Sequence, residues 1–164
     1  MSARFFPDEM PRPQADAETL PFWQAAAEHR LVLQECSACS RLRHPPGPVC
    51  PGCRSRASGW RELSGRGCVY SYTIVHRPVV PAQRERGPLP FAVVLVELEG
   101  AQGLRLVSNL VGADPTSLRV GLPVELVWED MGPELALPRF RPARSGGLSW
   151  AAGADRGRQL RRSL

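Results

Sequence analysis

Lysine is absent from this chain: all 21 of its basic residues are arginine. We read that absence as a bias of genome composition and attach no function to it. A long hydrophobic run is also absent. The longest, residues 91–96, falls far short of the roughly 20 apolar residues that a membrane-crossing helix needs. The first 20 residues carry Asp8, Glu9, Asp16 and Glu18 with several prolines, and no apolar stretch of the length a secretory leader requires. These absences lead us to expect a cytoplasmic protein without a membrane anchor. There is no triad-like ordering of serine, histidine and aspartate, no nucleophile elbow and no paired-carboxylate motif. Gly65-Arg66-Gly67 lacks the following helix and the lysine of a phosphate-binding loop. No segment repeats. The chain offers no convincing catalytic set.

What is present is a soluble-type composition. The chain has 164 residues with 43% apolar side chains, enough for one medium domain or two small modules sharing an interface. Its net charge of +5 is unevenly placed. From Arg141 to the end there are six arginines and one aspartate, while residues 1–140 hold 15 arginines and 15 acids. The body is therefore neutral and the tail basic. A nucleic-acid-binding domain usually carries its positive charge on the folded body, so that partner class is disfavoured.

Five cysteines in a chain of this kind point to metal or catalysis before disulfides. Four of them form two pairs, Cys36-x2-Cys39 and Cys50-x2-Cys53, ten residues apart. Two such pairs on tight turns bring four thiolates into a tetrahedron, the geometry zinc favours, and leave no coordination position open. The expectation is one structural zinc. A thioredoxin-like redox site would place one pair at a helix start, whereas prolines surround both pairs here; an iron–sulfur centre or a rubredoxin-like iron stays open as an alternative. The ribbon is too short of apolar side chains to build its own core, so a metal staple would supply folding energy. Cys68, the fifth, reads as a small buried apolar residue rather than a reactive thiol. His44 reads as a loop residue, and His29 as a helix-terminal residue where a cation is favoured. His76 is a candidate for lining a ligand groove.

Residues 1–18 read as a flexible, proline-rich arm that orders on a partner. A short helix follows from Thr19, with Thr19 as N-cap, Pro21 in the first turn, and Phe22, Trp23, Ala26 and Ala27 as its apolar stripe. Residues 31–35 read as a strand, 37–59 as loop broken by prolines and glycines, 60–63 as a closing strand and 64–67 as a turn. Five strands follow, at 68–80, 91–99, 104–111, 123–129 and 134–140, with a long polar loop over 81–90 and no long helix between them. That order suggests a small barrel of the OB type. The fold class expected is mainly β: an N-terminal helix and a rubredoxin-like zinc ribbon over 19–63, a five-stranded OB-fold barrel over 64–142, and a mobile basic tail over 143–164.

The order of motifs carries a resemblance. Pro21-Phe22-Trp23, then residues 31–36, the two cysteine pairs, residues 65–73, Pro90-Phe91-Ala92, residues 121–125 and Phe140 are similar to the acyl-CoA-associated zinc-ribbon/OB-fold family, over about residues 20–142. Members are often encoded beside thiolases, and some have lost the cysteines that this chain keeps. The resemblance implies an accessory subunit of a thiolase-like enzyme, including lipid-transfer-type aldolases of sterol side-chain degradation. Archaeal members bridge acetoacetyl-CoA thiolase and hydroxymethylglutaryl-CoA synthase. In some aldolase systems the domain is fused to a hydratase-like domain, and this chain is expected to be the freestanding form. The partner would supply the chemistry, with acyl-CoA at the shared interface and this chain shaping the channel.

Phe22 and Trp23 would then be aromatic anchors for the partner, or else a cover for one end of the barrel. Arg84 and Arg86 would meet CoA phosphates as bidentate donors, or else belong to a solvated loop. Two rival readings are a single-stranded nucleic-acid module with Tyr70 and Tyr72 stacking on bases, and an independent enzyme using His76 and Cys68.

Overall fold

A computed structural model describes residue 5 and residues 7–144 of the chain. The expected mobile basic tail lies, from residue 145 on, outside the described residues. Eight strands and two short α-helices follow one another from α1 (Leu20–Ala27) to β8 (Ala136–Pro142). Among the described residues no helix is long and apolar enough to cross a membrane.

Helix α1 starts under the control of Asp16. Its carboxylate oxygen accepts the hydroxyl of Thr19 at 2.7 Å and the amides of Thr19 at 2.8 Å and Glu18 at 3.1 Å. Thr19 stands at the N-cap position, but its side chain turns back to accept the Asp16 amide and makes no cap bond to the helix. Thr19 is thus the N-cap residue by position, as expected, but its hydroxyl does not do the capping, and Asp16 instead holds the turn that leads into the helix. These bonds, the Thr19 hydroxyl first, hold the Asp16 carboxyl below its usual range. The helix stops at His29, whose φ of 59° is left-handed. The His29 amide bonds to Ala26 at 2.9 Å and the Arg30 amide to Ala25 at 2.8 Å, the crossed pair that closes a helix C-terminus. The His29 ring then reaches the barrel, 2.7 Å from Asp130 and stacked on Trp128 at 5.8 Å.

The ribbon forms a three-stranded antiparallel sheet, β2 (Leu42–Arg43), β1 (Leu31–Cys36), β3 (Ser58–Leu63), with β1 central. Residues 37–59, expected to hold no regular element, contain β2 and the start of β3. Gln34 makes this possible: its carboxamide oxygen accepts from Arg43 at 2.5 Å and from the Gly47 amide at 2.8 Å, tying β1 to the loop beyond β2.

The barrel is closed in the order β4 (Arg66–Val75), β5 (Phe91–Leu98), β6 (Arg105–Leu110), β8, β7 (Pro123–Asp130), and β7 returns to β4. All neighbours are antiparallel except β6 and β8. Strand β4 pairs on both sides, and a register shift between Val69 and Ser71 lets it bend between its two neighbours. The turn before it depends on glycine. Gly65 has φ +73°, and a Cβ on Gly67 would stand 2.4 Å from the Glu97 carbonyl oxygen. Between β4 and β5 the expected polar loop contains a helix, α2 (Pro81–Arg86), which buries Gln83. Proline at its first position suits a helix start, a signal that the charged run after it obscured.

Alternation sets the core. Along β5, Ala92, Val94, Val96 and Leu98 point inward. They join Val69, Val124 and Phe140 in a core cluster that also contains Phe22 of α1, Leu31 and Leu33 of β1 and Leu42 of β2. The ribbon and the barrel thus share one hydrophobic core. Gln102, in the β5–β6 turn, reinforces the junction: its oxygen accepts the Leu42 amide at 3.3 Å and its nitrogen donates to the Ser40 carbonyl at 3.2 Å.

Candidate metal centre and the groove beside it

The two cysteine turns are copies of one geometry. In the first, the Ser40 amide bonds to the Cys36 carbonyl at 2.8 Å and the Cys36 amide to the Arg41 carbonyl at 3.0 Å. In the second, the Arg54 amide bonds to the Cys50 carbonyl at 2.9 Å and the Cys50 amide to the Ser55 carbonyl at 2.9 Å. Ser40 and Arg54 both turn the chain with left-handed φ, 56° and 64°. The four sulfur atoms lie within 4.8 Å of one another, with Cys36 and Cys50 buried and Cys39 and Cys53 exposed. Between the turns the sulfurs stand 3.5 Å apart from Cys36 to Cys53 and 3.6 Å from Cys39 to Cys50. These separations far exceed the roughly 2.05 Å of a disulfide. They suit the roughly 3.8 Å edge of a tetrahedron with metal–sulfur bonds of about 2.3 Å. The donor set therefore fits one zinc ion.

Local backbone dipoles prepare the sulfurs for the metal. The Ala38 amide, then that of Cys39, draws the Cys36 thiol below its ordinary pKa. The Cys53 and Gly52 amides do the same for Cys50, which falls to about 6. Cys39 moves the other way. The Arg41 amide lowers it, but the thiol of Cys53, burial and the remaining sulfurs outweigh that and push it up to about 12. The proton that this crowding keeps on Cys39 is one that a divalent cation would displace.

The other candidate residues do not gather at this centre. His76 lies just after β4 and is exposed. Arg84 is exposed on α2 and donates to the Pro78 carbonyl at 3.3 Å, and Arg86 ends that helix. Cys68 is buried, and burial, then the nearby Glu97 charge, raises its thiol pKa. Tyr70 carries the Arg105 guanidinium 3.4 Å from its ring centre, and the Tyr72 hydroxyl donates to the Leu118 carbonyl at 3.1 Å.

Phe22 is not the exposed anchor that its place beside Trp23 suggested. It is only 4% exposed, with the Trp23 ring edge-on at 5.0 Å and the His44 ring at 5.0 Å. Trp23 is half-buried and stands in the wall between two grooves of about 290 Å³ each. One groove runs along the β7–β8 turn and the arm at Arg12 and Pro13. The other lies between α1, the Pro45–Pro46 loop of the ribbon, and strands β6 and β8. Arg139, which lines it, belongs to a polar network missed by sequence reasoning: Arg139 donates to Glu129 at 2.6 Å and to Asn109 at 2.8 Å, and Asn109 donates to the Ala92 carbonyl at 3.0 Å. All three side chains are buried although they project outward from the barrel. Alternation along β6, β7 and β8 assigns such positions to solvent, so no sequence signal pointed to them.

A four-thiolate ribbon feeding a closed five-stranded barrel of order 1-2-3-5-4 defines the class: a zinc-ribbon/OB-fold protein. Two family models match, the ChsH2 rubredoxin-like zinc ribbon domain over residues 23–58 and the ChsH2 C-terminal OB-fold domain over residues 60–129. The chain belongs to this ChsH2/DUF35 family. A solved structure named Ltp2-ChsH2(DUF35) aldolase matches with a TM-score of 0.72 and 47% identity, covering 81% of this chain and 100% of that one. The 3-oxo-4,17-pregnadiene-20-carboxyl-CoA hydratase alpha subunit of Mycobacterium tuberculosis is 37% identical over 83% of this chain and 41% of that subunit. A DUF35 domain-containing scaffold protein of Methanothermobacter thermautotrophicus is 32% identical over 71% of this chain and 86% of its own length. The chain spans about two fifths of the length of the hydratase alpha subunits it matches.

Proposed function

We propose that this chain is a non-catalytic accessory subunit of a thiolase-like or lipid-transfer-type aldolase enzyme acting on acyl-CoA. It stabilises that enzyme and helps shape the acyl-CoA channel. The observation that carries the reading is the 47% identity to the whole length of one chain of a solved aldolase whose name joins ChsH2 to Ltp2. A relative named for a pregnadiene-carboxyl-CoA supports a sterol side-chain ester as the substrate class, and one named a scaffold supports the accessory role. In this reading Cys36, Cys39, Cys50 and Cys53 are zinc ligands, and the ion is structural because four thiolates close its coordination shell. His76, Arg84 and Arg86 remain candidates for the acyl-CoA side, and Trp23 for the partner side. The protein would act in the cytoplasm. Its working parts would be the arm over 1–18, the helix and ribbon over 19–63, the barrel over 64–142 and the basic tail over 143–164.

The test is co-expression with an Ltp2-type thiolase-fold subunit, followed by size-exclusion chromatography and zinc quantification on the same fraction. A stable hetero-oligomer with about one zinc per chain is the expected result. A zinc-loaded chain that elutes alone would overturn the partnership.

A further inference from the structure

The groove between α1, the Pro45–Pro46 loop, β6 and β8 has a chemistry that restricts its occupant. Its walls are mainly apolar, with Phe22, Trp23, Pro45 and Leu137 among them. Val107 stands on the β6 side and is 66% exposed, on a strand where Leu106 and Ser108 beside it are buried. The groove's cation, Arg139, is already bound to Glu129 in a buried ion pair and to Asn109. Glu129 neutralises its charge, so a phosphate or a nucleic-acid backbone meets no net positive charge there. Thr19 and Ser108 also line it but spend their hydroxyls on Asp16 and on the Pro138 carbonyl, so among the described residues the uncommitted polar side chain of the groove is that of His44. Its ring packs on Phe22, and its nitrogens make no hydrogen bond among the described residues. Burial lowers the His44 pKa, so the ring is neutral at physiological pH and presents one donor and one acceptor.

We propose that this groove receives an amphipathic aromatic side chain of the partner enzyme, tyrosine in first place, with its ring between Trp23 and Val107 and its polar tip on His44. An apolar body with one neutral hydrogen-bonding tip matches both halves of the site. Such side chains dominate interface hot spots when they fill a pocket that excludes water. The volume of about 290 Å³ suits one or two large side chains and lies at the lower edge of what small-molecule sites offer. The position also explains why the ribbon and the barrel are locked to each other. Both contribute walls, so the pocket exists only while the shared core and the Gln102 contacts hold them in register.

This inference rests on the accessory-subunit reading, and the experiment separates the two. The full-length chain and its variants are titrated with a purified Ltp2-type subunit by calorimetry, with zinc content and circular dichroism recorded on each. Val107→Arg places an unpaired charge at an exposed strand position and leaves the fold intact; the expected loss of affinity is about tenfold or more. His44→Phe keeps the ring and removes the hydrogen bond, and is expected to weaken binding about three- to tenfold. Val79→Glu, at a position 89% exposed beyond β4, serves as the control and is expected to bind like the wild type. If the wild-type chain forms no complex, the accessory reading falls and takes the inference with it. If the wild type binds and Val107→Arg and His44→Phe bind equally well, or only Val79→Glu is impaired, the inference is wrong and the reading survives.

Discussion

Cys36 and Cys53 hold their sulfur atoms 3.5 Å apart, across the two cysteine turns rather than within one. The first ligand of one turn thus meets the last ligand of the other. A metal at this centre cross-links segments 17 positions apart in sequence, and losing it separates the turns from each other.

Chelation or a Cys50→Ser replacement is therefore expected to loosen residues 37–57 while leaving the barrel folded. The reason is that Leu31, Leu33 and Leu42 are held by the shared core and not by the metal. Hydrogen exchange resolved along the chain checks this: protection is lost at the turns and kept in β5 and β6. Loss of protection throughout would show that zinc supports the whole molecule.

Zinc binding to the metal-free protein is expected to release protons at pH 7, because thiols must ionise to bind. Cys39, pushed up to about 12, gives up its proton, whereas Cys50, near 6, is already largely ionised. Calorimetry in buffers of different ionisation enthalpy measures the release. Affinity should fall as the pH is lowered, since protons then compete for the sulfurs.

Burial lowers the His44 pKa below its unfolded value of 6.5. The unfolded chain therefore takes up a proton that the folded chain resists. The contribution of His44 is complete above about pH 6.5 and declines as the pH falls through that value. It levels off below the depressed folded pKa. Denaturant titrations of the wild type and His44→Phe across pH 5 to 8 should diverge on the acid side only.

Gly67→Ala is expected to destabilise the barrel by about 1–3 kcal/mol, the usual cost of overpacking. The new methyl group would meet the Glu97 carbonyl at 2.4 Å and a Val96 methyl at 2.8 Å. The carbonyl belongs to β5 and has little room to retreat. A shift in the denaturation midpoint at unchanged slope reports the loss.

Removing one partner of the buried pair, as in Arg139→Ala, is expected to cost about 3–5 kcal/mol because buried Glu129 loses the guanidinium that offsets its desolvation. The double replacement Arg139→Met with Glu129→Leu should recover most of that loss. Thermal melts of the single and double variants decide between an ion pair that stabilises and one that is only mutually dependent.

Much of this architecture was legible in the chain. Two C-x-x-C pairs define a metal site by local spacing alone, and period-two alternation in β5 marks an inward face without reference to any other strand. The errors have physical causes. Thr19 looked like a side-chain cap because its residue type suits one, yet Asp16, three positions earlier, took the bonds. Residues 81–86 looked like loop because arginine and glutamate carry no apolar period, yet Pro81 starts a helix there. Phe22 looked exposed because the helix bearing it was read without the barrel on which it packs.

The cysteine spacing, the strand pattern and the neutral body with its basic tail were settled by the order of residues, because each is a local property of the chain. Tertiary structure alone decided the closure of β7 onto β4, the parallel meeting of β6 with β8, the core shared by ribbon and barrel, and the buried Asn109–Arg139–Glu129 network. Those features depend on which distant surfaces exclude water from each other, and no window of neighbouring residues records that.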